Sequence, residues 1–230
     1  MWLFPYTALT LAYDGPDGPS GGTSDPRALV APLGFDHLSE IAELRFTFNV
    51  ERDGVLKASR SWTWRPAEGT VSRGAGADAL TFKFGAPKTD DERKADAQFI
   101  NDSFWLAPQM HLGWAGPEVA VTDGGMVARP IPAGGATTVP ASTVREITVT
   151  YPASGGGYTP GDAYDLFLDS EGRIVAWNYR EGNAPTPTMT TTFDGYVPVG
   201  PLQIAAEHRD AAGSFRLYFT DLQATPRQAP

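Results

Sequence analysis

The residues that could perform nucleophilic catalysis are few, and they lack the motifs that such chemistry uses. The histidines are His37, His111 and His208, and none lies in a Gly-x-Ser-x-Gly or His-Glu-x-x-His setting. Asp102, Ser103 and His111 could be drawn as a triad, but closeness in sequence does not establish the geometry that a triad needs. We therefore expect no catalytic residue, no metal site and no cofactor.

Paired carboxylates are the more serious basis for an enzyme, because Asp and Glu are abundant and aromatic clefts in β proteins bind sugars well. A glycosidase needs two acids about 5 to 10 Å apart across a cleft. Most acids here are predicted in turns, where solvation explains them: Asp53, Glu68, Asp169 and Asp194. A carbohydrate-active hydrolase therefore ranks third among the hypotheses.

Aromatic side chains make up 11% of the chain and are better candidates for binding. Five tryptophans fall within the region of predicted strands and helix: Trp62, Trp64, Trp105, Trp114 and Trp177. Rings that line a cavity favour the burial of acyl or ring groups. For any one of these tryptophans ordinary core packing is the favoured explanation, so only the group as a whole points to an apolar pocket.

The overall charge limits the partners that the chain could have. Its 230 residues contain 18 Lys and Arg against 27 Asp and Glu, a formal charge of −9. Such an acidic surface repels phosphate backbones and anionic lipid surfaces, so we expect no nucleic-acid partner.

We also expect no membrane span, since no apolar run approaches the roughly 20 residues required. The absence of cysteine excludes thiolate nucleophiles, disulfides and Cys-based zinc sites.

Most of the elements that would position these side chains are predicted to be β-strands. Leu44, Phe46 and Phe48 alternate with polar residues, which is the period of a half-buried strand. Asp53-Gly54 then predicts a hairpin turn. Further strands are predicted at residues 55–65, 80–84, 118–122, 127–131, 144–151, 163–168, 173–179, 188–193, 202–208 and 215–222.

One amphipathic helix interrupts these strands. Residues 89–92, Thr-Asp-Asp-Glu, form a capping box, and Ala95, Phe99 and Ile100 recur at helical spacing as its buried stripe. Its exposed face is predicted to contain Arg93, Lys94, Asp96 and Gln98. Strands on both sides of a helix, without βαβ alternation, predict an α+β fold whose antiparallel sheet curls around the helix.

Composition changes at one place in the chain. Residues 14–26 are almost entirely turn formers and too poor in apolar groups to pack. We therefore expect residues 1–24 to be flexible or loosely attached, and residues 25–230 to form a single domain. Residues 2–12 could be the remnant of a secretory signal, although a positively charged start is missing, or a first strand.

Three segments carry a family resemblance: Ser61-Trp-Thr-Trp-Arg-Pro66, Phe99-Ile-Asn-Asp-Ser-Phe-Trp-Leu-Ala-Pro108 and Tyr158-Thr-Pro-Gly-Asp-Ala-Tyr164. Together with residues 169–179 they resemble uncharacterised bacterial proteins with the fold of lipoprotein carriers, the LolA/LolB-like superfamily. The resemblance extends over residues 44–196, and the middle segment is its most specific part. The chain departs from such carriers in having no lipobox cysteine.

The resemblance implies a strongly curved antiparallel sheet, an incomplete β-barrel, wrapped around one or two helices with an apolar cavity between them. Six aromatic residues are then predicted to line the cavity: Trp62, Trp64, Phe99, Phe104, Trp105 and Trp177. The leading hypothesis is a non-enzymatic, periplasmic or otherwise extracytoplasmic carrier or sensor for a hydrophobic or amphiphilic, lipid-like ligand, with another envelope protein as a further partner. The second hypothesis is a structural or protein-interaction domain whose own side chains fill the cavity.

Overall fold

A computed structural model describes residues 25–131, 143–154 and 159–228. These residues contain twelve strands and two α-helices. The strands are β1 Ile41–Arg52, β2 Val55–Arg65, β3 Thr70–Arg73, β4 Leu80–Lys83, β5 Ala120–Ala128, β6 Thr143–Thr150, β7 Ala163–Leu168, β8 Ile174–Arg180, β9 Met189–Thr192, β10 Asp194–Val199, β11 Leu202–Arg209 and β12 Phe215–Pro226. The helices are α1 Asp90–Leu106 and α2 Pro108–Trp114.

The strands form two antiparallel sheets that meet at Phe193. The first has the order β10-β11-β12-β1-β2-β3-β4 and the second the order β5-β6-β7-β8-β9. Strand β9 pairs with β8, the Phe193 amide donates to the Val175 carbonyl at 3.0 Å, and β10 then pairs with β11. One stretch of chain thus passes from one sheet into the other, and we call this place the seam.

The local sequence explains the first hairpin. Leu44, Phe46 and Phe48 are buried on one face of β1, as their alternation predicts. Asp53 and Gly54 both have positive φ, 50° and 72°, which is the backbone of a two-residue hairpin turn. The predicted hairpin between β1 and β2 is therefore confirmed.

Helix α1 begins at the capping box. The Thr89 hydroxyl accepts from the Glu92 amide while the Glu92 carboxylate accepts from the Thr89 amide. Ala95 and Phe99 are fully buried, as predicted, but Asp96 is buried too. Its carboxylate accepts from the Gly85 amide at 3.0 Å, so its assignment to the exposed face was wrong.

Strand β5 also differs from the prediction. Two strands, 118–122 and 127–131, were expected on either side of Asp123-Gly-Gly, but one strand runs through all three residues. A bulge accommodates them: Gly125 has φ +78° and its amide donates to the Asp123 carboxylate. The glycines therefore bend the strand without ending it.

Helix α1 lies against inner-face side chains of both sheets. Phe99 contacts Phe46 and Trp62 on the first sheet, whereas Phe104 contacts Tyr164 and Trp177 on the second. The end strands of the combined order, β4 and β5, do not pair with each other within the described residues. The predicted α+β fold, an incomplete antiparallel barrel around one or two helices, is confirmed. Residues 1–24, the predicted loose segment, lie outside the described residues.

Candidate functional site

The first cluster of predicted site residues surrounds Phe99, and we call it the Phe99 group. The Phe99 ring centroid lies 5.4 Å from that of Trp62, 5.7 Å from Trp64 and 5.5 Å from Phe84. Phe99 is 0% exposed, and Trp62 and Trp64 are buried as well. These rings pack directly on one another in tilted and edge-to-face contacts, which is the packing of a protein interior.

The second cluster surrounds Trp105, and we call it the Trp105 group. The Trp105 ring lies 4.4 Å from Trp177 and 5.4 Å from His208, and Phe104 lies 5.3 Å from Trp177. Trp105 also stacks on Phe193 at the seam. Trp177 and His208 are buried, but Phe104 and Trp105 are only partly buried. Phe104 and Trp105 therefore keep some exposed surface beside buried aromatic rings.

The structure brings all six predicted residues to the helix side of the sheet, in two sets. Phe99 joins Trp62 and Trp64, while Phe104 and Trp105 join Trp177. The expected opposite walls of a cavity are thus in ring contact with each other. Their role as ligand contacts stays a prediction.

Three buried polar atoms in residues near the seam have no side-chain hydrogen-bond partner within the described part of the chain. They are the Trp177 Nε1, the Thr191 Oγ1 and the His208 Nε2. The other His208 nitrogen, Nδ1, lies 3.1 Å from the Thr192 carbonyl oxygen and donates to it. Burial lowers the pKa of His208 to about 4, while hydrogen bonds to the Thr192 and Ala205 carbonyls and the charge of Glu207 oppose that shift.

Thr191 and His208 were missed by the sequence reasoning. Thr191 lies directly opposite Trp177 across the β8–β9 ladder, and His208 contacts Phe193 with ring centroids 4.3 Å apart. No motif marks either residue. The one available signal was that both occupy predicted strands, in which every second side chain faces inward.

The Phe99 group contains a buried ion pair. Asp102, 0% exposed, accepts from Arg60 Nε at 2.7 Å and Arg60 Nη2 at 2.5 Å, and from Trp62 Nε1 at 2.8 Å. Asn101 donates to the same carboxylate. Burial raises the pKa of Asp102, and the hydrogen bonds and charge of Arg60 oppose that rise. The carboxylate therefore ties α1 to β2.

The arrangement of Asp102, Ser103 and His111 is not that of a catalytic triad. Ser103 Oγ lies 3.0 Å from His111 Nε2, but Asp102 is held by Arg60 and Trp62. Burial lowers the pKa of His111 to about 3. The serine and histidine thus lack the acid that the hypothesis assigned to them.

Two neighbouring acids, Asp165 and Glu146, lie on the outer face of the second sheet and were compared with the carboxylate pair that a glycosidase needs. Asp165 alternates with the core residues Tyr164 and Leu166, and Arg180 binds it through Nε and Nη2. Burial and the charge of Asp165 raise the pKa of Glu146. Because this face of the sheet is opposite the core residues Tyr164 and Leu166, these acids do not share a cleft with the aromatic rings.

A groove of about 770 Å³ lies on the outer face of the first sheet. Most of the side chains along it are polar, including Arg45, Ser61, Thr63, Arg65 and Asp221. The lining suits polar rather than apolar molecules. It does not involve the Trp105 group.

Within the ranges described, no cluster of three or more His, Asp or Glu side chains is arranged to hold a metal ion. In the same ranges, neither helix has the length and apolar composition to cross a bilayer.

Comparison with solved structures found chains of similar fold at low identity. A DUF1329 family protein from Desulfovibrio piger is 10% identical with a TM-score of 0.46, and the match covers 88% of this chain and 93% of that one. A LolA superfamily protein from Nitrosomonas europaea is 8% identical with a TM-score of 0.43, over 89% and 91%. The lipoprotein LppX from Mycobacterium tuberculosis is 12% identical with a TM-score of 0.29, over 90% and 100%.

The LolA superfamily, which the sequence segments resemble, is thus represented among these structures. No protein-family model and no curated protein sequence matches the chain.

Proposed function

We propose that this chain is a non-enzymatic carrier or sensor that binds a hydrophobic or amphiphilic molecule between α1 and the curved sheet. The observation that carries the proposal is the partial exposure of Phe104 and Trp105 above the buried rings of Trp177 and Phe193. A ligand can cover this surface without displacing any of the packed rings of the Phe99 group.

The energetics favour an apolar ligand. Covering apolar surface stabilises a complex by roughly 25 cal/mol for each Å² removed from water. Two large rings that are already ordered by packing lose little conformational freedom when a ligand binds. The Trp105 group is therefore a preorganised apolar surface.

The proposal includes an extracytoplasmic location, with a lipid-like molecule and another envelope protein as partners. This part is based on the resemblance of residues 44–196 to lipoprotein carriers. It is tested by fractionating cells that produce the natural protein; recovery in the cytosolic fraction would contradict it.

The binding proposal is tested by displacement of an environment-sensitive lipophilic dye, together with native mass spectrometry of the purified chain. We expect fatty-acid or lipid species to displace the dye from the wild type. Trp105→Ala should weaken this binding at least tenfold, because it removes the ring that joins the two sheets beside the buried rings.

Trp114→Ala is the matched control. Trp114 is also partly buried, and its ring contacts those of Trp64, Phe84 and His111. Its one link to the Trp105 group among the described ring contacts is indirect, since the His111 ring also contacts Phe104. We expect this variant to lose stability while keeping wild-type affinity. Equal affinity of the Trp105→Ala variant and the wild type would show that Trp105 is an ordinary core residue.

The direct packing of Phe99 on Trp62 and Trp64 favours a second candidate, a structural or protein-interaction domain with a self-filled interior. This candidate predicts no dye binding and a native mass that mixed lipids leave unchanged. The same two measurements therefore separate the candidates.

A further inference from the structure

The polar groove on the outer face of the first sheet has room for a molecule of moderate size, and we call it the outer groove. Its volume is about 770 Å³. Its base crosses four neighbouring strands, β1 to β4, which corresponds to roughly 14 Å at the usual spacing between strands. Each of these strands contributes at least one hydroxyl side chain to the base: Thr47, Ser61, Thr63, Ser72 and Thr81.

The strand register places these hydroxyls side by side. Thr47 pairs with Ser61, and their oxygens are 2.9 Å apart; Ser72 pairs with Thr81, and their oxygens are 2.7 Å apart. Each pair uses one of its two hydroxyl hydrogens, so it can still donate and accept. Thr63 lies between the two pairs, and its hydroxyl has no partner within the described residues. The base of the outer groove therefore offers both donors and acceptors to a ligand.

The sides of the outer groove are formed by two irregular stretches of chain. Residues 74–76, which follow β3, line one side. The other side lies where the pairing of β12 with β1 shifts between Arg45 and Thr47. At this bulge Asp221 has φ +55°, and both Asp221 and Gln223 line the groove. Bulges redirect side chains and are frequent beside binding sites, so the bulge adds a carboxylate and an amide to the hydroxyl base.

The charged groups around the outer groove balance one another. Arg45 and Arg65 both line it, and each contacts one oxygen of Glu43 at 2.6 Å. Asp221 supplies the second carboxylate. These two cations and two anions leave the groove without net charge, on a chain whose formal charge is −9. A phosphate or another strong anion would therefore gain little by binding here.

We propose that the outer groove binds a short, uncharged oligosaccharide. Sugar hydroxyls both donate and accept hydrogen bonds, which matches the hydroxyl base and the flanking guanidinium and carboxylate groups. Phe46 and Trp62 also line the groove, but their rings are buried on the inner face against Phe99 and do not stack on a ligand. Because hydrogen bonds to exposed groups are exchanged with water, we expect a dissociation constant of about 1 mM.

This site is independent of the proposed carrier function, since it lies on the opposite face of the sheet from the helices. A ligand in the outer groove and an apolar ligand beside Trp105 can be bound at the same time. Saturating saccharide should therefore leave the displacement of the lipophilic dye unchanged.

The test is an NMR titration of the isotope-labelled whole chain with cellotriose, maltotriose and N-acetylated chitotriose as uncharged probes. Glucuronate serves as the charged probe. We expect at least one trisaccharide to shift the amide signals of Thr63 and Ser72 at millimolar concentration, and to leave those of Phe104 and Trp105 in place. Glucuronate should shift the groove signals less than that trisaccharide does.

Thr63→Val keeps the shape of the side chain and removes the hydroxyl at the centre of the base. It should weaken trisaccharide binding roughly three- to tenfold, which is the effect of one hydrogen bond between uncharged groups. The melting temperature should not fall, because the deleted hydroxyl has no partner within the described residues.

Thr122→Val is the matched control. Thr122 is also an accessible strand threonine whose hydroxyl has no partner within the described residues, but it lies on β5 and does not line the groove. We expect this variant to bind the trisaccharide with wild-type affinity.

Failure of all three trisaccharides to shift the groove signals would overturn the inference. Unchanged affinity in Thr63→Val, or an equal loss in Thr122→Val, would overturn it as well, because the base hydroxyl would then not contact the sugar. Tighter binding of glucuronate than of any trisaccharide would identify a site for anions instead. Each of these outcomes leaves the proposed carrier function standing, since the dye measurement is separate.

Discussion

Phe99 and Trp105 lie on the same helix within about two turns of each other, yet their surroundings differ. In the Phe99 group Phe99, Trp62 and Trp64 are buried while Phe84 is partly exposed, and the indole N–H of Trp62 donates to Asp102. In the Trp105 group two rings are partly exposed, and the indole N–H of Trp177 has no partner in the described chain. Both groups are aromatic and apolar. The pairing of their polar atoms and the exposure of their rings are the main differences between the two groups.

Truncation of Phe99 is expected to change the free energy of unfolding more than any other variant that tests this comparison. Phe99→Ala should lower the free energy of unfolding by about 4 kcal/mol, since it opens a cavity among rings that cannot collapse. Phe104→Ala should cost about half as much, because part of its ring is already in water. Urea unfolding of both variants measures the difference. Equal losses would show that the two groups are packed alike.

The next largest effect is a loss of folding stability at acidic pH, which we expect from His208 in the Trp105 group. The pKa of His208 is lowered from 6.5 to about 4 by burial, against the opposing charge of Glu207. The unfolded chain therefore binds more protons between these values, and stability falls as the pH falls through that range. The loss assigned to His208 is roughly 3 kcal/mol.

His208→Gln should remove that part of the acid sensitivity, whereas the part due to His111, whose pKa is also lowered, should remain. His37→Gln is the control, because His37 is exposed and its pKa is raised by Glu40 and Asp36. Urea unfolding at a series of pH values provides the measurement. An acid dependence of His208→Gln identical to that of the wild type would contradict the assignment.

The smallest expected effect is the difference in stability between variants that remove the indole of Trp62 and the indole of Trp177. Trp62→Phe and Trp177→Phe delete similar volumes, but only the first removes a hydrogen bond from a buried carboxylate. We expect Trp62→Phe to be the more destabilising by roughly 1 to 2 kcal/mol. Thermal unfolding of the unliganded variants is sufficient. A larger loss for Trp177→Phe would mean that its N–H is satisfied inside the protein.

Local patterns were enough to predict much of the fold. Residue alternation located the hairpin of β1 and β2, and the capping box placed the start of α1, because both features depend on neighbouring residues. The pattern failed at Asp123-Gly-Gly, which continues a strand through a bulge, and at Asp96, which is buried. In both cases the partner that decides the conformation, strand β6 or the Gly85 amide, lies outside the local window.

By itself the sequence determined the α+β class and the antiparallel strands, since these follow from periodicity and turn chemistry. The six aromatic residues on the helix side were predicted from the family resemblance and the aromatic content. Tertiary structure alone decided which rings contact one another and which side chains stay partly exposed. It bound Asp102 to Arg60, 42 residues away, and brought His208 beside Phe193 across the seam. Such contacts depend on the curvature of the sheet and on strand order, and no local spacing encodes them.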